Sequence, residues 1–281
     1  MNSRGPLPAL DFLRQRDGFV SGEEISHQLN ISRSAVWKQI NQLRREGYDI
    51  AAVPHLGYRL DGVPDKLLPQ EIKYHLGTKI AGKNILYYET IGSTMDEAFR
   101  LGVNGAPEGT VVLAEAQARG RGRMRRSWVS PPQKGIYLSL LLRPRLSPQQ
   151  APQITLMTAV SLAQAIKSSL GIEARIKWPN DILVRGNKVA GILTEIDAEA
   201  DEIKFVVIGW GINTHINRPS LPPQATSLHL EATTPVSRLA LARETLRRID
   251  TNYGCLQQNG FGPMRRQWKE MTVSLGQRIK L

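Results

Sequence analysis

The hydrophobic pattern of this chain changes at about Pro64, and that change restricts the possible folds more than any other feature. Before Pro64, apolar residues mostly recur every three or four positions, as they do along one face of a helix. After it, they gather in runs typical of strands, at 85–91, 110–118, 135–142, 174–178, 188–196 and 203–208. Several of these runs follow one another without a helix between them, which favours a mixed sheet over a doubly wound one.

Helical patterns complete the second part of the chain. The longer ones cover 148–170 and 236–257, and the shorter ones cover 94–102 and 262–271. The length of 281 residues also exceeds that of one typical domain. The sequence therefore predicts an α/β (α+β) chain with a small domain at 1–65 and a larger one at 66–271.

Residues 7–62 have the pattern of a winged helix-turn-helix. Ser21 is a suitable N-cap, and Glu24 three positions later completes a capping box. After a tight turn at Asn30 and Ile31, Ser32 caps a second helix, which Gly47 ends. Two short strands follow, at 48–53 and 57–60, and these form the predicted wing.

The second helix carries most of the charge expected of a DNA-reading element. A recognition helix presents its polar N-terminal residues to base edges, and cations nearby contact phosphates. The candidate DNA-binding residues are Ser32, Arg33, Ser34, Lys38, Arg44 and Arg45. Residues 1–65 contain eight Lys and Arg against eight Asp and Glu, so a helical domain that binds no DNA is the alternative.

The net charge of +12 is concentrated in two segments. One is 236–281, and the other is 119–145, which contains no Asp or Glu. The second includes a loop of alternating Gly and Arg, 120–128, directly after a predicted strand. Glycines let the backbone approach a ligand while guanidinium groups surround it, so the loop is typical of a compact anion site. A solvated basic loop or an RNA-binding segment is the alternative.

Three further motifs follow the loop in the chain. The first is Lys177-Trp178-Pro179-Asn180-Asp181, at the end of a predicted strand. The second starts at Lys188, with Gly191 three positions later, and the third is 208–213, with glycines at both sides of Trp210. Taken singly they indicate a β-turn, an edge strand with a protective lysine, and another turn, respectively.

Together and in this order, the four motifs resemble the catalytic domain of biotin–protein ligases. The helix-turn-helix in front makes the bifunctional biotin operon repressor type the closest resemblance, over about residues 10–275. The resemblance assigns the biotin site to Ser93, Thr94, Met95, Gln117, Arg121, Gly122, Arg123 and Lys188. It assigns the adenylate or ATP site to Gly120, Arg126, Asn180 and Asn213. The catalytic residues that it implies are Arg123, Lys188, Lys177 and Asp181.

The resemblance also implies a fold like that of class II aminoacyl-tRNA synthetases and a requirement for ATP and Mg²⁺, with biotin as substrate and no metal site built by the protein. The implied partners are a biotin carboxyl carrier protein, operator DNA and, with adenylate bound, a second copy of the chain. Two departures stand out. Arg125 replaces a glycine that is usual in the family, and residues 272–281 are only the start of the usual C-terminal SH3-like barrel.

Two other functions fit parts of the same pattern. A lipoate–protein ligase shares the fold and the two-step logic, but is not expected to carry this Gly-Arg loop or a winged helix. A ligand-sensing repressor without catalysis would not need Lys177, Asp181 and Lys188 together. The chain has a single cysteine, Cys255, and neither a membrane-spanning run nor a secretory signal, which predicts a cytoplasmic protein with no membrane partner.

Overall fold

The computed structural model describes residues 7–276. The chain divides into two compact units, Met1–Asp65 and Lys66–Leu281. The expected start of a β domain at 272–281 lies half outside the described residues, at 277–281. The described part, up to residue 276, does not form a strand there.

The first unit packs three helices against a two-stranded antiparallel sheet. Its elements are α1 (Pro8–Arg14), α2 (Gly22–Leu29), α3 (Arg33–Glu46), β1 (Asp49–Val53) and β2 (Gly57–Gly62). Buried apolar side chains from all three helices and from β1 form its core, among them Leu10, Ile25, Val36, Ile40 and Ile50.

The helix boundaries in this unit have the local causes that the sequence indicates. Ser21 Oγ accepts a hydrogen bond from Glu24 N at 3.0 Å, and Ser32 Oγ accepts one from Ala35 N at 3.2 Å. Gly47 ends α3 with φ of 103°, a backbone conformation that favours glycine. The connection from α2 to α3 turns at Asn30, which is left-handed with φ of 50°.

The second unit is built on a mixed sheet that has seven strands among the described residues. Its strands are β3 (Asn84–Ile91), β4 (Thr110–Gln117), β5 (Gly135–Leu142), β6 (Ala174–Lys177), β7 (Asp181–Val184), β8 (Asn187–Glu199) and β9 (Glu202–Asn213). They are arranged in the order β3-β4-β5-β9-β8-β7-β6. Only β3 and β4 are parallel, and the other pairs described are antiparallel.

Helices cover the two faces of this sheet unequally. The long helices α6 (Pro152–Leu170) and α8 (Arg238–Asn259) pack together and bury the larger core, with α9 (Gly262–Met271) beside them. Helix α5 (Thr94–Val103) contacts β4, β5 and β9 over a smaller core that includes Met95 and Phe205. Two short helices, α4 (Pro69–Lys73) and α7 (Leu228–Glu231), lie in connections.

Two interpretations of motifs taken singly were wrong and one strand was not predicted, and all three concern the sheet. Residues 208–213 continue β9 and do not form a turn. Lys188 lies in β8, which has a neighbour on both sides, so it does not protect an edge. The four residues of β7 were not predicted as a strand at all. The mixed sheet itself is confirmed. None of the described helices has the length and apolar character that crossing a membrane requires.

Candidate active site

The Gly-Arg loop connects β4 to β5 and folds back on itself like a narrow hairpin. Its stem is closed by hydrogen bonds from Trp128 N to Gly120 O at 2.8 Å and from Gly122 N to Arg126 O at 2.7 Å. A Cβ at Gly120 would collide with Trp128 O and with Ser130 Oγ. The first glycine of the motif is therefore required by the closeness of the two sides of the stem.

The tip of the loop carries the departure from the family pattern. Met124 and Arg125 both have positive φ, of 54° and 60°. Residues with a side chain adopt this region at a cost, whereas glycine does not. The position of Arg125 is therefore one where the family's usual glycine suits the backbone better than arginine does.

Trp128 lies over two strands that have glycine where its ring needs room. A Cβ at Gly211 of β9 would overlap the indole ring, and one at Gly191 of β8 would approach it to 2.9 Å. In the same way, a Cβ at Gly209 would overlap the Met95 side chain. The glycines on either side of Trp210 thus leave room above β9 for the side chains of Met95 and Trp128.

A first cavity of about 460 Å³ opens between this ring, α5 and the sheet. Most of the residues expected to bind biotin line it, together with Trp128, Trp210 and the apolar side chains of Leu138 and Leu193. The expected residues in its wall are Thr94, Met95, Gln117, Arg121, Gly122, Arg123 and Lys188. Asn180, expected in the adenylate site, lines it as well.

Neutral hydrogen bonds fix the polar wall of this cavity. Gln117 Oε1 accepts from Thr94 N at 2.9 Å and from Thr94 Oγ1 at 3.1 Å, and Gln117 Nε2 donates to Ser130 Oγ at 3.0 Å. Ser139 Oγ donates to Thr94 Oγ1 at 2.9 Å. Ser130 and Ser139 were not anticipated from the sequence, because their roles depend on which residues face each other across the fold.

Ser93 lies behind the cavity and not in its wall. It occupies the N-cap position of α5, but its side chain makes no capping hydrogen bond. Its Oγ is buried and has no hydrogen-bond partner within residues 7–276. A buried hydroxyl without a partner is costly, which makes this atom a candidate for a ligand contact.

A second, larger cavity of about 1020 Å³ lies beside the first. Trp128 and Lys188 line both. The other polar residues in its wall are Arg126, Ser127, Lys177, Asp181, Asn213 and Gln224, and Ile216, Pro222 and Pro223 add apolar surface. Four of the residues assigned to catalysis or to the adenylate site, Arg126, Lys177, Asp181 and Asn213, thus meet here.

Ion pairs and hydrogen bonds hold the polar side chains between the cavities. Lys188 Nζ lies 2.7 Å from Asp181 Oδ1 and 5.3 Å from the centre of the Trp128 ring. Arg123 Nη1 donates to Asn180 Oδ1 at 3.1 Å, and Asn180 Nδ2 donates to Ile192 O at 3.0 Å. Lys188 and Arg123 therefore have partners in the protein itself before any anion arrives.

Arg121 has two carboxylate partners that the sequence did not suggest as a set. Its Nε lies 3.0 Å from Asp96 Oδ1 on α5, and its Nη2 lies 2.7 Å from Glu195 Oε2 on β8. The two carboxylates belong to different elements that face each other across the first cavity. Arg121 thus joins the loop to both.

Buried groups fix the segment that returns from the loop to β5. Arg238 Nη1 donates to Glu115 Oε2 at 2.7 Å and to Gly135 O at 3.2 Å, and both side chains are buried. Burial raises the pKa of Tyr137, so this hydroxyl keeps its proton and donates to Pro131 O at 3.1 Å. These contacts hold the segment in place beside the loop.

The candidate DNA-binding helix is α3. Ser32, Arg33, Ser34, Lys38, Arg44 and Arg45 are all exposed at its start or along it, whereas its one acidic residue, Glu46, is buried. Arg44 differs from the others, since its Nε and Nη2 both donate to Ile50 O, at 3.1 and 2.7 Å. Arg44 thus stabilises β1, and we expect its side chain to contribute less to DNA binding than the other cations of α3.

Comparison with known proteins gives the family. Residues 87–213 match the model of the biotin/lipoate A/B protein ligase family, and residues 9–59 match a helix-turn-helix domain model. A biotin protein ligase from Aquifex aeolicus, solved in complex with biotin and ATP, superposes with a TM-score of 0.60 at 28% identity. That likeness covers 69% of this chain and 81% of the other.

Two curated relatives match almost the whole chain. The bifunctional ligase/repressor BirA of Bacillus subtilis is 40% identical over 96% of this chain and 84% of its own length. The BirA of Escherichia coli is 30% identical over 98% of this chain and 85% of its own length. The chain therefore belongs to the BirA family of bifunctional ligase/repressors.

Proposed function

We propose that this chain forms biotinyl-adenylate from biotin and ATP and transfers the biotin to a lysine of a biotin carboxyl carrier protein. Residues 66–271 carry this ligase activity, and residues 1–65 bind operator DNA in repression of biotin synthesis genes. The observation that carries the ligase proposal is the pair of adjoining cavities that share Lys188 and Trp128.

The first cavity suits biotin because it combines neutral polar groups with an apolar ring surface. The ureido ring of biotin both donates and accepts hydrogen bonds, and Ser93, Thr94 and Gln117 offer groups of both kinds. The indole of Trp128 and the thioether of Met95 provide surface for the sulfur-containing ring. The side chain of biotin that ends in the carboxylate would then lie along Arg121, Gly122 and Arg123.

The second cavity suits a nucleotide. Arg126, Lys177 and Lys188 bring three cations to a wall with one carboxylate, Asp181, which is already paired with Lys188. Such an excess of positive charge favours phosphates. Asn213 and the backbone of Gly120 would then lie near the adenylate, and the apolar residues of the wall contact the base or ribose.

The reaction brings a carboxylate onto a triphosphate, which assembles like charges. A carboxylate oxygen of biotin attacks the α-phosphorus of ATP, and pyrophosphate leaves with the electrons of the broken phosphoanhydride bond. The amine of the carrier lysine then attacks the biotin carbonyl, an amide forms, and AMP leaves. Preorganised cations lower the barrier to the first step, and Lys188 reaches both cavities.

Mg²⁺ fits this site as a companion of the phosphates. It neutralises charge on the triphosphate when bound, and Asp181 is the side chain that could add a ligand. Within residues 7–276, no group of three or more His, Cys, Asp and Glu is placed to hold an ion by itself.

Lipoate is the substrate to be distinguished from biotin, because the matched family model covers both ligases. The dithiolane ring of lipoate has no amide groups to satisfy the unpaired Ser93 Oγ, and a buried polar group left unpaired opposes binding. We therefore assign biotin. The carrier protein, ATP and operator DNA all occur in the bacterial cytoplasm, which is where we expect the chain to act.

One experiment tests the ligase proposal. The chain is incubated with MgATP, a carrier domain and either biotin or lipoate, and the intact mass of the carrier is measured. We expect the mass of one biotinyl group and no lipoyl group. Lys188→Ala should slow pyrophosphate release about 10²–10³-fold, the usual effect of losing one preorganised donor. A carrier modified only by lipoate, or not at all, would contradict the proposal.

A further inference from the structure

Among the described residues of the first unit, Trp37 has the most exposed large apolar side chain. Trp37 is 59% exposed, more than the other exposed tryptophan, Trp178, at 48%. It lies in the second turn of α3. Its ring therefore adds little to the core of the domain, and most of its surface is open to contact with a partner.

The direction of Trp37 differs from that of the core residues of its helix. Val36, Ile40 and Leu43 form the buried stripe of α3. Trp37 follows Arg33 by four positions and Ser34 by three, so it lies above these two exposed residues on one face. Its next neighbour in the chain, Lys38, is exposed too.

This face of α3 combines one aromatic ring with cations and has no exposed acid. Arg33, Lys38 and Arg45 are exposed, and Glu46 is buried. Charge of this kind complements the phosphates of duplex DNA. Phosphate contacts position a protein without reading sequence, whereas apolar and hydrogen-bonding contacts with base edges carry the specificity.

We propose that Trp37 is a specificity-determining residue whose ring packs against the 5-methyl group of a thymine in the major groove. Arg33 and Lys38 hold the neighbouring phosphates, and the start of α3 contacts the adjacent base edges. Packing against that methyl group removes apolar surface of the ring from water, which is what favours A·T at the contacted position. The inference rests on the proposed DNA binding of residues 1–65.

The test uses the full chain with biotin and MgATP and a library of random 30-base-pair duplexes. Bound DNA is sequenced for wild type, Trp37→Ala, Trp37→Phe and Arg45→Ala. We expect wild type to enrich a motif with a preferred thymine position. Trp37→Ala should lose at least about fivefold of the preference there, the lower end of what one base contact contributes, and keep the rest of the motif. Trp37→Phe should retain part of it.

Arg45→Ala is the matched control on the same helix. Loss of a phosphate contact should weaken binding to all sequences alike and reduce the salt dependence, without changing the motif. Helical content and thermal unfolding of Trp37→Ala should equal those of wild type, because its ring is not in the core.

Each other outcome decides against part of the argument. An unchanged motif in Trp37→Ala would overturn the role of Trp37 while leaving DNA binding intact. Sedimentation of the chain without DNA gives a second readout: if Trp37→Ala weakens self-association there, the ring belongs to an interface between copies and the inference is wrong. If wild type enriches no sequence, the DNA-binding function itself fails, and the inference with it.

Discussion

At the scale of single residues, the glycines of β9 make the most specific prediction about the site. Gly211 has no side chain where the Trp128 ring lies, so Gly211→Ala forces the indole away from the wall that the two cavities share. Inserting a methyl group into such a contact typically costs about 1–3 kcal/mol. We expect biotin affinity, measured by calorimetry, to fall about 5- to 150-fold.

Gly254→Ala provides the control for this substitution. Gly254 lies in α8, and a Cβ there would meet nothing within 4 Å. Alanine also favours a helix more than glycine does, so the control should bind biotin normally and unfold at the same or a higher temperature. Equal biotin affinity in the two variants would show that Trp128 does not need the space above Gly211.

The residues of the site differ in how clearly the sequence alone indicates them. Arg123 and Lys188 stand out because charge and glycine are concentrated around them in the chain. Asp96 and Glu195 do not, since they become partners of Arg121 only when α5 and β8 face each other. Ser130 and Ser139 are equally ordinary in the sequence. Contacts between distant segments depend on register, which a local pattern does not contain.

At the scale of elements, Arg121 links the Gly-Arg loop to α5 and β8, and this link predicts how easily the loop opens. Partly exposed ion pairs contribute about 0.2–1 kcal/mol each. Glu195→Gln removes one of the two, so trypsin should cut the ligand-free loop at its arginines about two- to fivefold faster. Biotin with ATP should protect the loop in wild type.

Glu199→Gln is the control, because Glu199 lies on the same strand and pairs with Lys204, away from the loop. It removes the same charge and should leave the cleavage rate unchanged. If both variants are cut equally fast, the ion pair with Glu195 does not restrain the loop, and the conformation of the tip at Met124 and Arg125 controls its opening.

Most elements were predictable, and the exceptions have a physical cause. Caps at Ser21, Ser32 and Gly47 set helix ends through local hydrogen bonds and backbone conformation, which the sequence encodes directly. By contrast, residues 208–213 look like a turn because glycine rarely favours strands. They form a strand since neighbouring side chains, Met95 and Trp128, occupy the space that the glycines leave. The short strand β7 is stabilised by its neighbours β6 and β8.

At the scale of the whole molecule, the division of the chain after Asp65 predicts separable activities. Among residues 7–276, none of those that line the two cavities precedes Lys66. A variant that lacks residues 1–65 should therefore keep appreciable adenylation and lose operator binding, measured by pyrophosphate release and by gel retardation. Circular dichroism checks that it is folded. Retention of operator binding would contradict the assignment of α3, and loss of adenylation in a folded variant would show that the units are coupled in catalysis.

We expect self-association to connect the ligase activity with operator binding. Residues 1–65 have no net charge, so one copy of this unit gains little from general attraction to DNA. Two copies present two α3 helices to two half-sites, and repression then depends on dimer formation. The Gly-Arg loop carries unneutralised cations at its tip, and an adenylate beneath it favours one ordered conformation.

If that ordered loop completes the dimer surface, biotinyl-adenylate acts as the corepressor. Thermodynamic linkage then requires dimer formation to tighten adenylate binding by the same factor that adenylate tightens the dimer. Sedimentation with and without biotin plus ATP measures the first effect, and adenylate release at increasing protein concentration measures the second. We expect the dimer affinity and the adenylate affinity to rise by the same factor. Arg125→Gly should enlarge both effects, because glycine adopts the left-handed backbone at that position without strain. If biotin and ATP change neither the monomer–dimer equilibrium nor the operator affinity, the chain is a ligase with a DNA-binding unit but without a biotin-responsive switch.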